Sequence, residues 1–251
     1  ARPQKRRHPD NPNLILHEEP TFHSMPVQYE ADPLIENYLY QTWRIIQTAL
    51  LHHRRVTAIR FDLRLPQGMP TPKPEGMVMT AFWERLKDRI EHDRARDKKE
   101  RDRGHDTSVH HIRVMEYDQT GDRPHWHCVL LVSREAYPGV GRIGSDEMNM
   151  YDRIVAAWNS ALELVRGVDS GLVHIPHNPV YHLDRNSDGS DFRELFYRLS
   201  YFTKARSKQY GGCANAFGGS RIDPSLVGTW VEAEGSSGAN PRARAAQECA
   251  A

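Results

Sequence analysis

His125 and His127 stand one residue apart in RPHWHCVLLV, residues 123–132, at the mouth of an apolar run. Side chains two positions apart on a strand project to one face, so both imidazoles point the same way and Trp126 points the other. Two neutral imidazoles so placed can converge on one divalent ion; a hydrogen-bonded or exposed pair at a strand end is the competing explanation. The preceding strand, VHHIRVMEYD, is joined to this one by QTGD, and a turn centred on Thr120-Gly121 sets Glu116 opposite His125. Glu116 is thereby the third candidate ligand of a site with open positions for water and phosphate oxygens, where an ion acts as a Lewis acid. His110 and His111 lie toward the far end of the same strand, and their register reads as solvated or core-edge.

A second cluster lies in LFYRLSYFTKARSK, residues 195–208. Tyr197 and Tyr201, four apart, share one face of a helix, and Lys204 and Lys208 continue that face. Tyrosines at this spacing also fill cores, but basic residues follow here where a buried stripe would carry aliphatics. A phenol titrates near pH ~10, so a nucleophilic tyrosine requires a cation or a general base, and Lys204 is placed to be that cation. A lysine at a helix C-terminal end is the plainer explanation. Arg198, Arg206 and Lys208 add local positive charge for a phosphate backbone.

These residues need a scaffold, and 251 residues suffice for one principal domain. The net charge of +1 excludes a global basic field, so any nucleic-acid contact must be local. Three cysteines without metal-type spacing fit a reducing cytoplasm, and the absence of a signal peptide or a bilayer-length apolar stretch predicts a soluble protein with no membrane partner. Residues 1–13, basic and proline-rich, predict a flexible arm, and residues 14–55 an N-terminal helical segment with an accessory helix between Pro33 and His53. The principal domain is expected over 56–230. It begins with the alternating strand RVTAIRFDLRLP, then the charged helix MTAFWERLKDRIEHDRARDKKERDRG with Phe82, Leu86 and Ile90 inward. The hairpin follows, then a helix opened by Ser145, a strand through GLVHIP and a long helix from about Asp191 to Lys208. Residues 231–251 read as a disordered tail. The fold class is α+β, an antiparallel-rich central sheet with helices packed on it.

The histidine pair on a strand, an upstream strand carboxylate and Y-x-x-x-Y-x-x-K on a later helix, in this order, resemble the HUH endonuclease superfamily of rolling-circle replication initiators. RPHWHCVLLV and YRLSYFTKARSK look most like the initiator proteins of filamentous phages and their prophage relatives, and the resemblance spans about Val56 to Phe217. It implies that His125, His127 and Glu116 hold Mg or Mn, that Tyr201 attacks a DNA phosphodiester, that Tyr197 is a second nucleophile and that Lys204 assists. The implied substrate is single-stranded or supercoiled origin DNA in a bacterial cytoplasm, and a free 3'-hydroxyl would prime a host polymerase. Phe61-Asp62-Leu63 departs from relatives that carry a threonine-rich first strand. No G-x-x-x-x-G-K-[ST] occurs, so unwinding would fall to a host helicase. Two other classes stay open: a noncatalytic prophage DNA-binding regulator, and a metal-dependent hydrolase of a small substrate that adds His174 and His177 as ligands.

Overall fold

The computed structural model describes residues 5–30, 32–68, 71–101, 104–117, 123–164, 171–206, 208 and 215–226. The hairpin turn at Thr120-Gly121 and the tail over 231–251 lie outside the described residues. Ala1–Arg221 form one compact unit and Ile222–Ala251 a second, in which the described residues carry a 3-10 turn at Pro224–Leu226.

Four two-residue strands open the chain: β1 (Leu16–His17), β2 (Thr21–Phe22), β3 (Met25–Pro26) and β4 (Leu34–Ile35). They are followed by α1 (Glu36–His52), β5 (Arg55–Arg64), α2 (Glu75–Arg101), β6 (His110–Tyr117), β7 (Pro124–Ser133) and α3 (Met150–Ala161). The remaining elements are β8 (Val173–His174), β9 (Val180–Asp184), α4 (Ser190–Ser200) and β10 (Phe217–Gly219). The α+β class holds. The main sheet runs β10-β6-β7-β5-β8, with β9 also on the outer edge of β5, and every pairing is antiparallel.

Period-two alternation divides the sheet into two differently used faces. Ile59, Phe61 and Leu63 of β5 and Trp126, Cys128, Leu130 and Val132 of β7 pack against Phe82, Leu86 and Ile90 of α2 and Ile154 and Trp158 of α3. Full burial of Phe61 and Phe82 contributes about 1.5–3 kcal/mol each. The opposite face carries Arg60, Asp62, Glu116, His125 and His127, and α1 and α4 lie over it.

Several elements differ from the sequence expectation. From Lys5 the arm is held in place: Leu16 donates to the Arg6 carbonyl at 2.8 Å, His8 is buried, and Lys5 and Arg6 pair with Glu36 and Glu18. The helical segment expected over 14–55 belongs to the same compact unit as the sheet. Asn149, not Ser145, caps α3, exchanging hydrogen bonds with Asp152 at 3.2 and 3.0 Å. Strands β9 and β10 were not expected. The long helix to Lys208 stops at Ser200, passes through a 3-10 turn at Tyr201–Thr203, and turns extended at Lys204 with ψ 138. Tertiary pairing overrides the helical pattern there: Lys204 bridges to Leu34, and Ala205 donates to the Pro33 carbonyl at 2.9 Å.

Candidate metal and tyrosine site

The hairpin register places Glu116 directly across from His125, as the turn-centred pairing predicts, with Val114 across from His127. One donor atom from each of Glu116, His125 and His127 lies within 4.8 Å of the others. Two imidazole nitrogens and a carboxylate oxygen at such a span suit one small divalent ion, so the donor set fits the metal that the sequence suggests.

The next layer sets the protonation of these ligands. Asp62 lies across β5 from His127, and its Oδ1 stands 2.7 Å from His127 Nδ1. Carrying its proton on Nδ1, His127 donates to Asp62 and leaves Nε2 facing Glu116 Oε2 at 3.5 Å, the arrangement in which a carboxylate fixes the tautomer of a ligating histidine. Burial pushes the His127 imidazole down, but its bonds to Asp62 and Glu116 more than offset this, and it ends above its ordinary value. Burial and then the neighbouring His127 push His125 down, which keeps it neutral and ready to ligate. Burial works against ionised Asp62, yet the bonds from His127 and His174 hold it below its ordinary value. Asp62 and the face of Phe202 were both missed by sequence reasoning. Phe202 stacks on His127 with centroids 5.2 Å apart.

Glu116 is the electrostatic centre of the cluster. Lys208 Nζ donates to its Oε1 at 2.8 Å, and Lys204 Nζ lies 3.4 Å from its Oε2. Burial opposes its charge, but His127 and Lys208 hold the carboxyl well below the usual carboxylate range. Lys208, expected to touch DNA, is a buried partner of Glu116 instead, and burial lowers its ammonium to about 8. The helical backbone ends after Thr203 and turns extended at Lys204, and Lys208 lies buried rather than along a helix face.

Lys204 Nζ also sits 4.0 Å from the Tyr201 ring centroid, so one ammonium links the phenol to the carboxylate. Tyr201 keeps helical dihedrals, so it still follows Tyr197 by about one turn, and both are solvent-exposed at 42% and 45%. Arg198 is exposed on α4, whereas Arg206 pairs with Asp32 at 3.1 Å. His174, weighed as an extra ligand, is held by Asp62 Oδ2 at 3.0 Å and is not in the donor cluster. His110 pairs with His52 at 3.0 Å, and His111 stacks on Trp83 on the other sheet face, so neither joins the site. Among the described residues no helix is long and apolar enough to cross a membrane.

The family described as the YagK/YfjJ C-terminal domain matches residues 17–220, and the chain belongs to it. The chain is similar to uncharacterized protein YagK of Escherichia coli K12, at 35% identity over 178 residues that cover 67% of this chain and 85% of YagK. It is also similar to uncharacterized protein YfjJ of the same organism, at 27% identity over 189 residues, covering 71% and 90%. No solved structure matches.

Proposed function

We propose that this YagK/YfjJ-family chain is a metal-dependent DNA nickase and strand transferase of the HUH type, starting rolling-circle replication from a phage or prophage origin through a bond between Tyr201 and DNA. The observation that carries the reading is the Lys204 ammonium standing between the exposed Tyr201 ring and Glu116 of the two-histidine cluster. A histidine and carboxylate cluster alone would suit many hydrolases; one coupled through a single cation to an exposed phenol suits transesterification by that phenol.

The residues divide the work as follows. Glu116, His125 and His127 would hold Mg or Mn, which when bound supplies Lewis-acid polarisation of a phosphate oxygen. Asp62 keeps the Nδ1 proton on His127 and fixes the ring. Lys204 favours the negative charge that grows on the Tyr201 oxygen during attack. The Tyr201 oxygen bonds to phosphorus as the bond to the 3'-oxygen breaks. The phenol gives up one proton and the departing 3'-oxygen gains one, so no further reactant is needed. The products are a 5'-phosphotyrosine and a free 3'-hydroxyl, available to a host polymerase behind a host helicase. Tyr197, a turn away, can take a second strand while Tyr201 is still occupied.

The test is a covalent-adduct assay with a single-stranded oligonucleotide in Mg or Mn. The wild-type chain should give a denaturant-resistant band, and mass spectrometry should find the nucleotide on Tyr201. Tyr201→Phe should lose the adduct, and Tyr197→Phe should keep first nicking while losing strand transfer. Adduct formation by the double phenylalanine variant would refute the nucleophile assignment, and no metal-dependent adduct from the wild type would refute the reading as a whole.

A further inference from the structure

Arg60 is an electrostatic anomaly beside this site. It lies on β5, two positions before Asp62 and on the same sheet face, so the two are about 7 Å apart along the strand. Its residue surface is only 6% exposed, and its Nε and Nη1 atoms are buried with no hydrogen-bond partner among the described residues. The other two arginines buried among the described residues are served: Arg44 bonds Tyr40 and Gln47, and Arg153 bonds Asp93. A buried guanidinium with unused donors is expensive, and a fold that keeps one needs a compensating partner.

The surroundings indicate what that partner is. The carboxylate nearest along the strand, Asp62, has its two oxygens committed to His127 and His174. Arg60 packs its planar group over Phe202, 5.2 Å from the ring centroid, and that ring also stacks on His127. Tyr181 on β9 and Asp62 bear favourably on its charge, and the like charge of Arg198 on α4 bears against it. Arg198 is exposed, so an anion arriving from solvent meets it first and Arg60 beneath. Two guanidinium groups and a phenol hydroxyl, with no free carboxylate between them, favour a tetrahedral oxyanion held by several donors.

We propose that Arg60, Arg198 and Tyr181 form a subsite for a backbone phosphate of the bound DNA strand, one neighbouring the phosphate that reacts. This rests on the nuclease reading for the identity of the ligand. Phe202, the neighbour of Tyr201, touches both Arg60 and His127, so the subsite adjoins the histidine cluster. The subsite would set which phosphodiester faces Tyr201, acting on position rather than on the reacting atoms.

The experiment uses the full chain in EDTA, so that no nicking occurs, with a labelled single-stranded oligonucleotide, and measures thermal unfolding with and without inorganic phosphate. Arg60→Met should melt at or above the wild-type temperature in phosphate-free buffer, because it removes a buried charge whose Nε and Nη1 donors go unused. It should bind the oligonucleotide about tenfold more weakly, with a salt slope shallower by about 0.7, the loss of one phosphate contact to a single strand. Arg60→Lys, which keeps the charge without the fork, should fall between, and phosphate should raise the melting temperature of the wild type only. Equal affinity and salt slope in all three proteins would overturn the subsite and leave the adduct assay to judge the nuclease reading alone. A phosphate shift lost in Arg60→Met, with no oligonucleotide binding by any protein, would overturn the DNA assignment while keeping an oxyanion site.

Discussion

Lys208→Met tests the electrostatics of the cluster directly, because the side chain it removes is fully enclosed and its length is nearly preserved. In the wild type the Lys208 ammonium donates to Glu116 Oε1 at 2.8 Å. Without it, Lys204 at 3.4 Å and His127 at 3.5 Å still stand near Glu116. Breaking one side of a buried pair costs about 3–5 kcal/mol. The remaining partners, and the burial cost no longer incurred by the lysine, put this case at the lower end, about 3 kcal/mol. For a domain of this size that corresponds to roughly 6–12 °C in melting temperature. Calorimetric melts in EDTA should show that drop, and Mn should narrow it, because a dication at Glu116 supplies the missing positive charge. Oligonucleotide binding should keep its wild-type salt slope, since Lys208 does not face a phosphate. A variant that melts with the wild type in EDTA, or that loses salt slope without losing stability, would show that Lys208 acts at the DNA surface and that the pairing with Glu116 is not what holds it.

Asp62, which holds His127, and the ion network around Asp93 can each be tested by one substitution. Asp62→Ala should weaken Mn binding by about ten- to a hundredfold in titration calorimetry while the chain stays folded, because His127 loses the acceptor that fixes its Nδ1 proton; unchanged affinity would remove Asp62 from the site. Asp93 is buried among Arg94, Arg96, Arg153 and Tyr137. Burial opposes its charge, but the Arg94 bond and the others outweigh it and lower its carboxyl from 3.8 to about 2. A depressed carboxylate stabilises fully above its unfolded value and less as pH falls through the folded one. Urea melts should therefore show wild type more stable than Asp93→Asn at neutral pH, with the gap closing between about pH 4 and pH 2; a gap that does not change across that window would refute this coupling.

The parts of the site legible in the sequence were those fixed by local geometry. Glu116 and His125 face one another across a hairpin whose connection is short, so turn position alone determines their register. The two tyrosines stay a turn apart because the chain keeps helical dihedrals through Tyr201. Asp62 was visible only as a departure from relatives, since its pairing with His127 joins strands separated by a helix and another strand, and no periodicity reports that register. Strand β9 was hidden for the same reason: it is defined by its match to Arg55–Ile59 of β5, far away in sequence. The end of α4 was misread because LFYRLSYFTKARSK carries helical spacing throughout, while the backbone from Lys204 is taken by Leu34 and Pro33.

That last difference bears on the chemistry. Had the helix run on to Lys208, the two lysines would stand about one and two turns beyond Tyr201, roughly 5 and 10 Å along the axis, and only one could reach a carboxylate on the sheet. With the helix broken after Thr203, both ammoniums bear on opposite oxygens of Glu116 while Lys204 keeps its contact with the Tyr201 ring. The break is held by the N-terminal segment: Leu34 and Pro33 take the backbone of Lys204 and Ala205, and Gln28 bonds the Ser200 hydroxyl and the Tyr197 carbonyl at 2.9 Å each. Residues that the sequence pattern marks as an N-terminal helical segment therefore fix the distance between the phenol and the candidate metal-binding carboxylate. In a reaction that depends on a nucleophile lying in line with the breaking bond, that distance has to be set by rigid backbone contacts rather than by a long side chain searching for its partner.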